Sequence, residues 1–470
     1  KTISERNVGA NLAKSGDVRR LVNAYVNDVA MTVLPDAPID PATGLPVPTI
    51  AVATAGGVSV IKDDGTVVDS AATTAITSVI FCEAGLYYIS VSSNAFYFST
   101  IADALSGDGF GDNVGGPNPS VLGVLMPTWG LKLNTTVGND FSIAGSILAN
   151  SSVKNGLMLH SANVSNFDVG MSALLTSTYN TGWMNGDIKG AFLSDTDDTD
   201  LVGGTDNDRS VKVNPLTVNG TVTRDLVATG ADLVAYSGFA AGNYLEQPYN
   251  SDLDFGTGDF CVMGWVKPFA SGDEYVFDCR DATATTGFGL YRNGASGKFT
   301  FLTQSGGSGS SLVGTSSNTT ATWTFVTVVR RSGVLEVHVN GILEASASAV
   351  VRNVTSTDRY LVVGGSYGYF NYNSWEGSLA LLRISATAPT AEQIAKMYND
   401  EKVLFQENAQ ATLYGTSDPV TALAHDSDTN LLHVGTSDGR SVFQGLRRVS
   451  NTTTAVGTAI SASNGLVVEE

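Results

Sequence analysis

The run "TWTFVTVVRRSGVLEVHVNGILEAS" at residues 322–346 decides the fold. Its β-branched residues and the Asn340-Gly341 pair read as antiparallel strands joined by a tight turn, the strongest short-range hairpin signal. The same texture extends outward on both sides, with "DFCVMGWVKP" at 259–268, "DEYVFDCRD" at 273–281 and "GFGLYRNGASGKFTFLT" at 287–303 before it. "YLVVGGSYG" at 360–368 and "EGSLALLRIS" at 376–385 follow it. Such alternation fills both inner faces of a two-sheet jelly-roll sandwich, here expected over 215–404.

Composition agrees with an all-β chain. The 470 residues are long enough for more than one core, charged residues make up only 15%, and 51 glycines accompany abundant Thr, Ser and Val, as in strands joined by tight turns. The formal charge of −19 repels phosphate backbones and anionic lipid, so nucleic acid is excluded as a partner. No apolar stretch approaches the length of a membrane span, so membrane insertion is not expected. Cys82, Cys261 and Cys279 are too few, and odd in number, for a disulfide framework, and Cys261 and Cys279 are read as buried thiols. The chain opens on Lys1 without an initiator Met or a signal peptide, which suggests a fragment or a processed product.

Three segments carry a family resemblance: "YLEQPYNSDLDFGTGDFCVMGWVKP" at 244–268, residues 322–346, and "EGSLALLRISATAPTAEQIAKMYN" at 376–399. In this order and spacing they resemble the laminin-G-like, concanavalin-A-like sandwich. The resemblance covers about 190 residues; Trp265 and Trp323 match its core tryptophan positions, and "PTAEQIAKMYND" at 389–400 matches its closing helix. It implies a recognition module for sugars or protein surfaces. The family often places a calcium-ligating Asp in an Ile-Asp-Glu-Val strand near the end. Here Leu379-Ala380-Leu381-Leu382 stands instead, which argues against a calcium site of that type.

Around the sandwich the pattern is different. "TIAVATAGGVSVI" at 49–61 aligns without a gap on "LLHVGTSDGRSVF" at 431–443: Val52 with Val434, Thr54 with Thr436, Gly57 with Gly439, Ser59 with Ser441. Each is a hairpin preceded by a further short strand, at 27–34 and 419–426. More diverged copies run over 76–100 and 140–170, and "DIKGAFLSDT" at 187–196 reads as a first blade strand. Small sheets repeated in this way bury their faces by stacking, as in a β-propeller. The expected organisation is therefore propeller blades over 1–194, an acidic linker over 195–214, an inserted sandwich over 215–404, and a last blade over 405–470.

Catalytic motifs are missing. Glucanases of the sandwich group use a Glu-x-Asp-x-x-Glu strand in which one carboxylate attacks and another protonates, and no such spacing occurs. The acidic cluster Asp273, Glu274, Asp278 and Asp281 alternates with aromatics and reads as strand-edge charge. Arg440, Arg447 and Arg448 lack the Thr-Trp turns of sialidase propellers. His160, His338, His425 and His433 fall singly, without zinc-ligand spacing. The acidic loop at 194–208 gathers Asp195, Asp197, Asp198 and Asp200, hard oxygen ligands that make calcium its candidate ligand. No other cofactor is expected.

The ring-rich stretch "GGSYGYFNYNSWEG" at 364–377 sets Tyr367, Tyr369, Phe370, Tyr372 and Trp375 among Gly, Ser and Asn, a composition suited to stacking sugars and equally to aromatics that plug the sandwich edge. A propeller carrying a lectin-like insert, with phrases such as "GGVSVIKDDGTVVD" at 56–69, resembles the tail proteins of marine tailed bacteriophages. The resemblance implies a structural, non-enzymatic, homo-oligomeric virion component among other tail proteins, its insert touching host surface glycan through those rings. The alternatives are a carbohydrate-active enzyme, either a glycan depolymerase or sialidase-like, and a purely architectural tail subunit.

Overall fold

The computed structural model describes residues 21–470 except 71–74, 83–84, 91–94, 100, 107–136, 145–146, 153–155, 162–169, 211, 270–271, 319–320, 349, 367–373 and 458. The chain divides into two compact units, one of residues 1–125 and 136–146, the other of 126–135 and 147–470.

In the first unit β1 (Val26–Thr32), β2 (Thr49–Thr54), β3 (Gly57–Ile61) and β4 (Val67–Asp69) form an antiparallel meander. A second meander follows from β5 (Ser78–Cys82), β6 (Gly85–Ser90) and β7 (Ala95–Ser99), then the short helix α1 (Ile101–Ser106) and strand β8 (Val137–Ala144). Ala51, Ala53, Val58 and Val60 from the first meander pack on Val79, Leu86 and Tyr88 from the second. Alternating apolar positions of adjacent sheets thus supply this core.

The second unit begins with β9 (Ile147–Ser152), β10 (Gly156–Ser161), β11 (Met171–Leu175) and β12 (Met184–Asn185), paired antiparallel in that order. The sandwich follows. Its first sheet contains, in spatial order, β14 (Leu201–Val202), β17 (Thr221–Leu226), β18 (Val234–Ser237), β29 (Gly377–Ser385), β20 (Phe260–Pro268), β25 (Thr324–Arg331), β26 (Val334–Val339) and β27 (Ile342–Ser348). Its second sheet runs β15 (Thr205–Asp206), β16 (Leu216–Asn219), β19 (Tyr244–Gln247), β28 (Leu361–Val363), β21 (Glu274–Arg280), β22 (Gly287–Arg292), β23 (Phe299–Ser305), β24 (Ser308–Val313). Phe260, Phe277, Phe288, Phe299 and Phe301 meet between the sheets with Val326, Val328 and Ile384. Each such ring, fully buried, contributes about 1.5–3 kcal/mol.

The jelly-roll expectation holds, and so does the closing helix. This is α2 (Ala391–Glu401), started by a capping box in which Thr390 Oγ1 accepts from Gln393 N at 3.2 Å and Gln393 Oε1 accepts from Thr390 N at 2.9 Å. Ile394 and Met397 lie against the outer side of the first sheet, where Trp265, Phe325 and Leu381 are buried. Cys261 and Cys279 are buried and free, as expected.

Three boundaries depart from expectation. "DIKGAFLSDT" is not a blade strand: β13 (Ile188–Phe192) pairs with β29, Ala191 opposite Arg383 and Phe192 opposite Leu382. The stretch 195–214 is no linker, because β14 and β15 within it join the two sandwich sheets. Nor is the sandwich insulated from its flanks. The outer face of its first sheet belongs to a core that also holds Leu157, Leu159 and Trp183 before it and Leu423, Val434 and Phe443 after it.

The last meander comprises β30 (Val420–Asp426), β31 (Leu431–Thr436), β32 (Gly439–Gln444) and β33 (Arg447–Asn451), followed by the hairpin β34 (Ile460–Ser463) and β35 (Leu466–Glu469). Its first three strands repeat the register of β1–β3, while a bulge between Val442 and Phe443 sets the pairing of β33 apart from that of β4. Val52 faces Ser59 as Val434 faces Ser441. Thr54 Oγ1 donates to Gly57 O at 2.8 Å, and Thr436 Oγ1 to Gly439 O at 3.2 Å. Ser59 and Ser441 each accept from the backbone of a preceding segment, Val22 N and Tyr414 N, both at 2.8 Å. The repeat is therefore structural as well as textual. No closed propeller is seen among the described residues, which give an all-β protein containing a jelly-roll sandwich.

Candidate functional site

The outer face of the second sandwich sheet is hollow. A cleft of about 480 Å³ is lined by Asp273, Tyr275, Arg280, Tyr291, Leu302, Gln304, Gly309, Ser310 and Ser311, within the size range of small-ligand sites. Strand alternation explains the lining, since Phe277 and Cys279 of β21 enter the inter-sheet core while Asp278 and Arg280 face the other way. A bulge between Tyr275 and Phe277 brings Tyr275 onto the same outer face.

The floor is a closed polar cluster. Arg280 Nε and Nη2 donate to Asp278 Oδ1 and Oδ2, each at 2.8 Å, while Nη1 reaches Gln304 Oε1 at 3.1 Å and Nη2 also reaches Tyr275 Oη at 3.1 Å. Ser366 Oγ donates to Asp278 Oδ2 at 2.5 Å. Gly289, the cross-strand partner of Asp278, makes room for this, because a Cβ there would lie 3.2 Å from Asp278 Oδ1. Tyr275 and Tyr291 are paired across β21 and β22 with ring centroids 5.3 Å apart. The guanidinium of Arg280 sits 5.2 Å from the Tyr275 ring centre. Burial raises the Tyr275 hydroxyl above its ordinary pKa, so it remains a neutral donor and acceptor.

At one rim Asp273 accepts from Asn293 Nδ2 at 2.9 Å and Gly294 N at 2.7 Å. The exposed Ser311 forms part of the other. Beside the cleft Glu274 is buried against Arg292, at 3.6 Å, and accepts from Glu376 N at 3.0 Å. Burial holds its carboxyl up at about 7. A second cleft, of about 410 Å³, includes Asn318, Asn340, Ile342 and Glu344 in its lining but no aromatic ring.

The sequence points to 364–377 as a sugar platform. Tyr367, Tyr369, Phe370 and Tyr372 lie outside the described residues, and Trp375 is fully buried in the inter-sheet core. Trp375 is therefore a packing residue rather than a surface ring. The rings that do line the cleft belong to "DEYVFDCRD" and "GFGLYRNG". The acidic-aromatic alternation is the available signal, although by itself it reads as edge charge.

Three of the four proposed calcium ligands are taken up by Arg224 instead. Asp195 is buried and pairs with Arg209 at 2.5 Å and Arg224 at 3.5 Å. Asp197 pairs with Arg224 at 3.2 Å, Asp200 accepts from Arg224 N at 3.0 Å, and Asp198 is exposed. Among the described residues no group of His, Cys, Asp or Glu converges on a metal position. What Asp195 does join is a buried network in which Tyr236 Oη lies 3.3 Å from it and 3.1 Å from Asp206. Burial, and then the charge of Asp195, push the Asp206 carboxyl up to about 7.

Residues 239–395 match the model of the concanavalin A-like lectin/glucanases superfamily. The chain thus contains a concanavalin A-like domain within a largely β protein. Solved structures with similarity include domain 4 of an extracellular GH43 arabinanase from Geobacillus stearothermophilus in complex with arabinotriose, at 16% identity, covering 41% of this chain and 92% of that one with a TM-score of 0.31. The receptor-binding domain of botulinum neurotoxin C/D mosaic serotype is 13% identical, with 53% and 62% covered and a TM-score of 0.36. A heptameric SAP-like pentraxin from Limulus polyphemus is 21% identical, with 30% and 70% covered and a TM-score of 0.26. No curated protein sequence matches significantly.

Proposed function

We propose that the sandwich binds glycan, without cleaving it, in the cleft over β21–β24. The observation that carries this reading is the joining of two half-buried tyrosine rings with the amide of Gln304 and serine hydroxyls in one hollow. Rings stack on the apolar face of a sugar while amides and hydroxyls meet its hydroxyl groups. Hydrolysis would need a second carboxylate across the cleft, and among the described lining residues Asp273 is the sole carboxylate. Superfamily membership of the sandwich supports the same class of ligand.

In the wider reading the protein is a structural, oligomeric component of a virion tail, its meander sheets acting as propeller blades and its sandwich reaching host surface glycan. The repeat of the β1–β3 register in β30–β32 supports the blades. A glycan array probed with the full chain and with Tyr291→Ala tests the first part: binding lost in the variant is expected, and equal signal from both proteins rejects the cleft. Mass spectrometry of purified virions tests the second.

A further inference from the structure

The charge arrangement of the cleft says which saccharides it takes. Arg280 is the single cationic side chain among the described lining residues. It is only 5% exposed, and its partner Asp278 is 1% exposed. Asp278 fills the Nε/Nη2 edge of the guanidinium, Nη2 also reaches Tyr275 and Ser366, and Nη1 donates to Gln304. An anionic sugar would therefore meet a guanidinium whose charge is already cancelled and whose fork is already occupied. It would also pass the rim carboxylate of Asp273 on a chain of net charge −19. Stripping water from a uronate or sialate carboxylate without a charged partner costs far more than stripping it from a hydroxyl.

A neutral sugar meets the opposite situation. Because Gln304 Oε1 receives Arg280, its amide nitrogen is left to donate outward. Ser311 adds a hydroxyl at the rim, and Tyr291 a ring.

Resting on the glycan reading above, we infer that this cleft selects uncharged oligosaccharides and rejects uronic, sialic and sulfated ones, and that Asp278 sets the selection by holding Arg280 neutralised. Asp278 acts through Arg280 and is a positioning residue.

The test uses the full chain against neutral gluco-, galacto-, manno- and arabino-oligosaccharides, with oligogalacturonate and sialyllactose alongside. Wild type is expected to bind at least one neutral oligosaccharide in a manner lost on Tyr291→Ala, and neither acidic one. Asp278→Asn keeps the shape but leaves Arg280 unpaired, so it should gain at least about tenfold in affinity for oligogalacturonate. Wild-type binding of an acidic oligosaccharide that Tyr291→Ala abolishes would overturn the selection while leaving glycan binding intact. A folded Asp278→Asn protein without that gain would overturn the role of Asp278. Absence of any Tyr291-dependent binding across the panel would reject the glycan reading itself. Should Asp278→Asn not fold, Asp278→Ser takes its place, with the same gain for oligogalacturonate expected and its absence in the folded protein overturning the role of Asp278.

Discussion

Arg383 and Glu401 pair with both side chains fully buried, Nη1 to Oε1 at 2.7 Å and Nη2 to Oε2 at 3.1 Å. The carboxylate also accepts from Trp183 N at 2.9 Å and from the Trp265 indole at 2.7 Å. Strands β20 and β29, helix α2 and the segment before the sandwich therefore meet at one side chain. Removing one partner of a buried pair leaves an uncompensated charge and costs about 3–5 kcal/mol. Glu401→Ala should lower unfolding free energy by that amount in a denaturant titration. The double variant Arg383→Met, Glu401→Leu should recover more than half of the loss.

The same junction bears on domain independence. A fragment cut at 215–404 loses β13, whose residues bond to Leu382–Ser385 of β29, and uncovers the face holding Trp265, Phe325 and Leu381. It is expected to melt at least about 10 °C below the full chain, a few kcal/mol in a domain of this size. Equal melting temperatures would restore the sandwich as a self-sufficient insert.

Asp206 makes stability depend on pH. Its carboxyl is raised from 3.8 to about 7, first by burial and then by Asp195. Below pH 4 both folded and unfolded states hold the proton, and the group is neutral in its effect. Between about 4 and 7 only the unfolded chain ionises, so stability falls as pH rises, and above 7 the penalty is constant. Asp206→Asn lacks this penalty. Its stability relative to wild type should grow by up to about 4 kcal/mol from pH 4 to pH 8 in chemical denaturation at each pH.

How much of this was legible depends on what sets each feature. The strands of 259–268, 322–346 and 376–385 were readable because side-chain alternation and the Asn340-Gly341 turn are local. The partner of β13 was not, since Ile188 and Ser385 are far apart in sequence and the edge of a strand carries no mark of its neighbour. The cleft was half legible. Asp278 and Arg280 stand in a visible alternation, but Tyr275 has the opposite parity, and only the bulge between Tyr275 and Phe277 brings it onto their face, since one inserted residue reverses which side chains face out. Trp375 was ambiguous, because its Gly/Ser/Asn neighbours suit an exposed loop and an edge plug alike, and its ring enters the core.

Gly439 tests the repeated hairpin. Its φ is +146°, and a Cβ there would lie 2.1 Å from the Thr452 carbonyl oxygen. Gly57, the matching residue, has φ +131°. Either residue changed to Ala should lose more than about 1 kcal/mol, by strain in a backbone region that L side chains avoid. Thermal melts of both variants check this. An effect in one meander without the other would break the equivalence of the two sheets.

Trp375 packs, whereas Tyr291 faces the cleft. Trp375 has no exposure and lies among Leu379, Val363 and Phe277 in the inter-sheet core, so Trp375→Ala opens a cavity that costs about 3–5 kcal/mol. Tyr291 lies half-buried at the cleft surface, where its removal uncovers little core. Tyr291→Ala should therefore leave the melting temperature within about 2 °C of wild type, as surface changes generally do, and still lose glycan retention. Trp375→Ala should show the reverse: a large drop in melting temperature, with retention preserved at temperatures where the variant stays folded. If instead Trp375→Ala lost retention while melting like wild type, the platform would be the tryptophan-bearing loop at 364–377, and the cleft over β21–β24 would no longer be the binding site.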